Sequence, residues 1–160
     1  MIEGISFRTC YDSDRDWLFD LHAKTMAEYI AKTFGKWDDE FQRPLFEENF
    51  NPDVRRVIVC AGEDAGVVQI EDRPSTIWIA NIQVHPRFQR MGIGARVIRS
   101  IIDDAERAGK SVTLRVFKVN PARRLYEKLG FEVSGENETH WYMERILTAS
   151  NAPNFSNRRE

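Results

Sequence analysis

The order of elements written into this sequence predicts an α/β (α+β) domain built on a mixed, mostly antiparallel central sheet of about seven strands, with helices on both faces. Three observations lead there. The runs Val57–Cys60, Val67–Ile70 and Ile77–Val84 are rich in β-branched residues and are separated by turn-forming stretches, which reads as an antiparallel meander. Apolar positions then switch to helical spacing across Gly92 to Ala108. After that helix come a strand, a short helix and two closing strands, a succession that mixes parallel and antiparallel neighbours.

Taken in order, Ile5, Phe7 and Thr9 alternate with Ser6 and Arg8, the period of a half-buried strand. Asp12-Ser13-Asp14 offers N-caps to a helix that carries Trp17, Leu18, Leu21, Met26, Tyr29 and Ile30 loosely on one side and stops at Gly35. Trp37 to Phe50 suggests a second helical stretch, interrupted in pattern by Pro44. Turns are expected over Gly62 to Gly66 and Asp72 to Ser75. In the long helix that follows, Ile93, Val97, Ile98, Ile101, Ile102 and Ala105 form the apolar face and Gly109 ends it. Val112 to Phe117 is a strand, Asn120-Pro121 opens a helix closed by Gly130, and Phe131 to Ser134 and Trp141 to Leu147 complete the sheet. The unit from Ile77 to Phe117 is expected to cross over right-handedly.

Composition narrows the function. The 160 residues, 42% hydrophobic, furnish one core, so a single domain over 1–148 is expected with a polar, flexible tail over 149–160. Basic and acidic residues, 23 against 25, are interspersed, which offers nothing to nucleic acid. No run approaches the roughly 18 apolar residues of a membrane span, and the first residues lack a signal-peptide pattern, so a cytoplasmic location is expected, as monomer or homodimer. Cys10 and Cys60 lie in apolar stretches without metal-ligand spacing and read as reduced core thiols; no metal is expected.

The chemistry begins at Gln89-Arg90-Met91-Gly92-Ile93-Gly94-Ala95, between a strand and a helix. A helix start presents unpaired N–H groups and partial positive charge, and Gly92 and Gly94 withhold the Cβ atoms that would keep a pyrophosphate off the backbone. Arg87 and Arg90 can add charge-assisted hydrogen bonds. The bland reading of two such glycines is a tight turn under close helix packing. A Walker loop lacks its Gly-Lys-Ser/Thr, and a dinucleotide fingerprint would need a third glycine and a first-βα-turn position.

With Ile82-Gln83-Val84-His85-Pro86 leading into it, this segment resembles the Q/R-x-x-G-x-G/A signature of the Gcn5-related N-acetyltransferase (GNAT) family. Ala122-Arg123-Arg124-Leu125-Tyr126-Glu127-Lys128-Leu129-Gly130-Phe131 is similar to that family's second element. The resemblance covers roughly residues 5 to 147. It implies a GNAT-like sheet, acetyl-coenzyme A as co-substrate and an amine as acceptor. It also implies that the backbone of Ile82, Gln83 and Val84 holds the pantetheine arm, that Gln89 to Ala95 cradles the pyrophosphate, and that Tyr126 is the general acid beside the sulfur. Arg123 becomes a candidate phosphate contact. Asn120 stands six residues before Tyr126, where many members have asparagine seven before; here it either contacts the coenzyme or caps the helix.

The base is open: Glu71, Asp72 and His140 fall near the expected acceptor cleft, although a surface role is the ordinary fate of such residues. On the acceptor side, Tyr29, Trp37 and Asp38, with His22 and Asp39 nearby, suit a cationic amine, or else Trp37 packs between helices and the acids cap one. Acetylation of a small-molecule amine leads, with protein N-terminal or lysine acetylation next and a non-catalytic coenzyme A-binding regulatory module after it.

Overall fold

Strand alternation and helical periodicity resolve, in a computed structural model that describes residues 4–147, into the expected elements. They are β1 (Ile5–Thr9), α1 (Arg15–Phe34), α2 (Asp39–Glu48), β2 (Arg55–Cys60), β3 (Glu63–Asp72), β4 (Thr76–Val84), α3 (Ile93–Arg107), β5 (Ser111–Phe117), α4 (Arg123–Lys128), β6 (Glu132–Glu136) and β7 (His140–Arg145). The strands form one sheet in the order β1-β2-β3-β4-β5-β7-β6. Only β4 and β5 run parallel; the other neighbours are antiparallel. The tail expected over 149–160 lies outside the described residues.

Helices cover both faces because each strand buries alternate side chains on opposite sides. On one face, Ile77, Ile79, Leu114 and Val116 pack beneath Val97, Ile98, Ile101 and Ile102 of α3 and Tyr126 of α4. On the other, Val57 and Val67 meet Leu18 and Leu21 of α1, with Phe46 of α2 packed alongside. A fully buried leucine side chain contributes about 1.5–3 kcal/mol. Leu18 and Leu21, exposed by 1% and 0%, therefore anchor α1 firmly across β2 and β3.

Several element ends differ from the sequence expectation for local reasons. The first turn of the meander is Ala61-Gly62, both at positive φ (50° and 82°), the two-residue hairpin geometry, so β3 starts at Glu63 rather than after Gly66. Gly66 lies inside β3, where an added Cβ would come within 2.2 Å of the Gln83 carbonyl oxygen. Its glycine is dictated by the approach of β4. Asp14 precedes α1 but makes no side-chain cap; its carboxylate takes both terminal nitrogens of Arg8 at 2.8 and 2.9 Å, tying the helix start to β1. Asp38 is the true cap of α2, accepting the Glu40 N–H at 3.0 Å, and α2 runs through Pro44 on its exposed side. Cys10 is a buried free thiol and Cys60 a half-buried one.

Candidate active site

The site is made where the sheet comes apart. β4 pairs with β5 only from Thr76 to Ile79, yet continues along β3 as far as Val84. At the parting, Gln69 opposes Asn81 while Ile70 opposes Ile79, so Ala80 is an extra, bulged residue. A bulge bends and twists its strand. It also reverses the alternation: Ile77 and Ile79 face α3 before it, whereas Ile82 and Val84 do so after it, leaving Gln83 on the α1 side. The His85 N–H donates to the Ala65 carbonyl at 2.8 Å, which fixes the phase of the β3–β4 ladder. Antiparallel pairing then points the backbone groups of Asn81 and Gln83 into β3 and those of Ile82 and Val84 into the gap. The Val84 carbonyl accepts the Gln89 side-chain amide at 2.9 Å. The Val84 N–H and both groups of Ile82 have no sheet partner there.

A cavity of about 410 Å³ follows this open edge. Ile82, Gln83, Val84, Gln89, Arg90, Gly92, Ile93, Gly94, Ala95 and Asn120 all line it, as does Tyr29 from α1. Gly92, with φ 77°, is the left-handed residue before α3 and supplies no side-chain cap, so the first N–H groups of the helix are open towards the cavity. Arg90 is also at positive φ, 64°. At Gly94 an added Cβ would meet no protein atom within 4 Å. Protein packing therefore does not require glycine at that position, whereas a phosphate group lying on the helix start would. The residues fit the diphosphate end of a coenzyme. Met91 is 57% exposed and lines no described cavity, and Arg123 is turned to Glu127 at 2.6 Å and lies over the Trp141 ring.

A second cavity, of about 490 Å³, opens on the other side of the parted strands. Met26, Ile82, Gln83, Asn120 and Tyr126 line both spaces, so Tyr126 stands at their junction. Its ring meets Phe131 edge-on at 6.1 Å, and among the described residues its hydroxyl has no hydrogen-bond partner. Burial pushes the phenol up to about 12, so it holds its proton throughout the physiological range. Asn120 Oδ1 accepts the Ala122 N–H at 2.9 Å, which closes the turn ahead of α4, whose own N-cap residue is Ala122, and Asn120 borders both cavities.

Of the candidate bases, His140 lines the second cavity, stacked on Phe117 at 4.1 Å with Nδ1 on the Thr139 hydroxyl at 2.7 Å. Burial and then the Arg115 charge lower its pKa, which keeps it neutral. Glu71 is exposed, holds Arg73 at 3.2 Å and lines neither space; Asp72 pairs with Lys110. Trp37 packs on Phe19 and His22, at 6.2 and 5.7 Å, and Asp38 borders a separate groove with Phe34, Phe41 and Leu45.

The structure gives His22 a definite place and adds Arg55. His22 receives the Gln83 side-chain amide nitrogen at Nδ1, 2.9 Å away, so its Nε2 carries the proton. Burial, reinforced by the Arg55 charge, pushes its pKa down to about 4. Arg55, at the start of β2, also borders the second cavity. Its neighbours in sequence, Val54 and Arg56, gave no sign of that, because a strand-end arginine ordinarily reads as solvated.

Comparison with known proteins gives the class. The sequence model of the acetyltransferase (GNAT) family matches residues 19–131, and the chain belongs to that family. The PaiA N-acetyltransferase of Thermoplasma acidophilum, solved in complex with coenzyme A, has a similar fold: TM-score 0.69 at 14% identity, covering 88% of this chain and 98% of that one. The ribosomal-protein-S18-alanine N-acetyltransferase of Escherichia coli gives 0.65 at 20% identity, covering 93% and 99%. Naa50 of Arabidopsis thaliana, in complex with the bisubstrate analogue CoA-Ac-MVNAL, gives 0.59 at 14%, covering 89% and 99%. In sequence, the cysteine-rich protein 2-binding proteins of Mus musculus and Homo sapiens are 42% identical over 55 residues, 34% of this chain and only 7% of their own length. Among the described residues no helix is long and apolar enough to cross a membrane, and no cluster of metal-ligating side chains occurs.

The buried neutral state of His22 has a pH signature. An unfolded histidine protonates near its ordinary 6.5 and the native ring only near 4, so between those values the unfolded chain binds more protons. Stability is complete above about pH 6.5 and falls as pH drops towards 4, by up to about 3 kcal/mol from this residue. Urea unfolding of wild type and His22→Gln across that range is expected to show a visibly flatter acid limb in the variant. Parallel limbs would mean that the ring is not held neutral by the fold.

Proposed function

We propose that the protein transfers the acetyl group of acetyl-coenzyme A directly to the amine of a small molecule, with Tyr126 as general acid. The carrying observation is the placement of Tyr126, a buried residue whose side chain lines both cavities where they meet. In this reading the start of α3, with Gly92, Gly94 and Arg90, receives the diphosphate, and the gap-facing N–H and carbonyl of Ile82 and the N–H of Val84 receive the amide-bearing arm. Acetyl-coenzyme A supplies the thioester. The amine nitrogen attacks its carbonyl carbon from the second cavity, the oxygen charge is met by a backbone N–H near Ile82, and the carbon–sulfur bond breaks. The sulfur takes the Tyr126 proton. The proton lost by the amine passes to His140, whose Nε2 has no partner among the described residues, or to water in the cavity. His22 is unsuited to that role, because its one lone pair already accepts from Gln83.

A phenol near 12 is a weak acid beside an ordinary thiol near 8.5. The same dry surroundings that raise the phenol also destabilise the departing thiolate, and so narrow the difference between them. The alternative acceptor, a protein N-terminus or lysine, is favoured by one feature. The exposed groove of Phe34, Phe41 and Leu45 adjoins the second cavity through Ile30, Phe34 and Phe117, and could receive residues beyond the reacting amine.

Two variants separate this reading from simple packing. Gly94→Val is expected to stay folded by circular dichroism, since a Cβ there meets no protein atom within 4 Å, while weakening coenzyme A in calorimetry by at least about tenfold. Unchanged affinity would move the diphosphate elsewhere. Tyr126→Phe, measured with an accepted amine and with chemistry limiting turnover, is expected to lower kcat by about 10²-fold with little effect on coenzyme binding. A kcat within about twofold of wild type would leave Tyr126 as a packing residue.

A further inference from the structure

The second cavity is unusual in its charge. Its lining contains Arg55, Arg115, His22 and His140, and among the described residues no aspartate or glutamate. Arg55 is the more telling of the two arginines. Its guanidinium lies over the rings of Phe46 and Phe50, at 5.5 and 5.3 Å, and its Nε is buried without a hydrogen-bond partner. Burial lowers its pKa, the direction expected of a cation that no anion compensates. The contrast with Arg8 is direct: that side chain, on the neighbouring strand β1, is held by both Asp14 and Asp64 at 2.8 Å. Arg115 likewise has no carboxylate partner among the described residues.

An uncompensated guanidinium in a half-buried wall is costly unless a ligand completes it, and its planar fork of N–H donors matches a carboxylate. His22, with its proton on Nε2, adds a neutral donor to the same wall. Resting on the acetyl-transfer reading above, we infer that the acceptor carries a carboxylate close to its reacting amine, held by Arg55 with Arg115 beside it. The substrate class is therefore amino acids and related amino-carboxylates, and not polyamines or other amines that bring only positive charge. The arrangement also serves the chemistry. Two cations in one wall disfavour the ammonium form of a bound amine, so the neutral nucleophile is more populated than in water. The carboxylate offsets the repulsion that would otherwise keep the amine out of the cavity.

The test compares matched acceptors on the full chain: free amino acids and other amino-carboxylates, the corresponding amides, the decarboxylated amines, and short peptides whose carboxyl end is remote from the amine. Thiol release gives kcat/KM, and calorimetry gives coenzyme A binding independently. The acids are expected to exceed their amides by at least about tenfold. Arg55→Gln and Arg115→Gln are each expected to shrink that acid-to-amide ratio, and Arg55→Lys to keep part of it. Should Arg55→Gln fail to fold, the wild-type ratio and Arg115→Gln decide the matter. Coenzyme A binding with amides, decarboxylated amines or peptides used as well as the acids overturns the inference, as does coenzyme A binding with no amino-carboxylate turned over. A chain that binds no coenzyme A overturns the acetyl-transfer reading itself.

Discussion

Everything about the site follows from the parting of β4 and β5 after Ile79. Parallel strands joined by hydrogen bonds have no room between them, and a sheet interior is the most rigid part of a domain. The bulge at Ala80 ends the pairing while β3 still holds β4, so a strand edge with N–H and carbonyl groups turned from the ladder is presented inside the protein. Such groups would be expensive to bury without a partner. They are tolerable because they border a cavity, and an amide-bearing ligand can satisfy them in the same pattern that β5 would have used.

The two sides of the parting differ in chemistry. On the α3 side the open helix start and Gly94 suit a polyanion; on the α1 side the wall is aromatic and cationic, with both histidines held neutral. Tyr126 bridges them, anchored through Phe131 and through the helix that follows the Asn120 turn. A residue at such a junction can act on a bond that is broken on one side and formed on the other. Gln83 has a related position: its side chain is 5% exposed, reaches across to His22, and so ties α1 to the strand edge that receives the ligand.

Much of this was legible in the sequence, because it depends on local pattern. The apolar periodicity of Ile93 to Ala105, the glycines at 92 and 94, and the frame around Tyr126 carry their information within a few residues, and the elements they predict form. What was not legible depends on long-range pairing. The Ala80 bulge is a one-residue difference in register that no propensity announces. The bond between Gln83 and His22 spans 61 positions. Arg55 looks like any strand-end arginine until Phe46 of α2 and Phe50 just after it fold against it. Acidic candidates suffered in the opposite way: Glu71 lies near the site along the chain, but Arg73 holds it at the far end of β3.

The central claim is that a coenzyme completes the open edge of β4 as a strand would. Amide hydrogen exchange resolved by residue tests it most directly. Saturating coenzyme A is predicted to slow exchange at the Ile82 and Val84 amides, which face the gap, while leaving Asn81 and Gln83, already bonded into β3, nearly unchanged. Uniform slowing along β4, or none at Ile82 and Val84 in a chain that demonstrably binds the coenzyme, would contradict it.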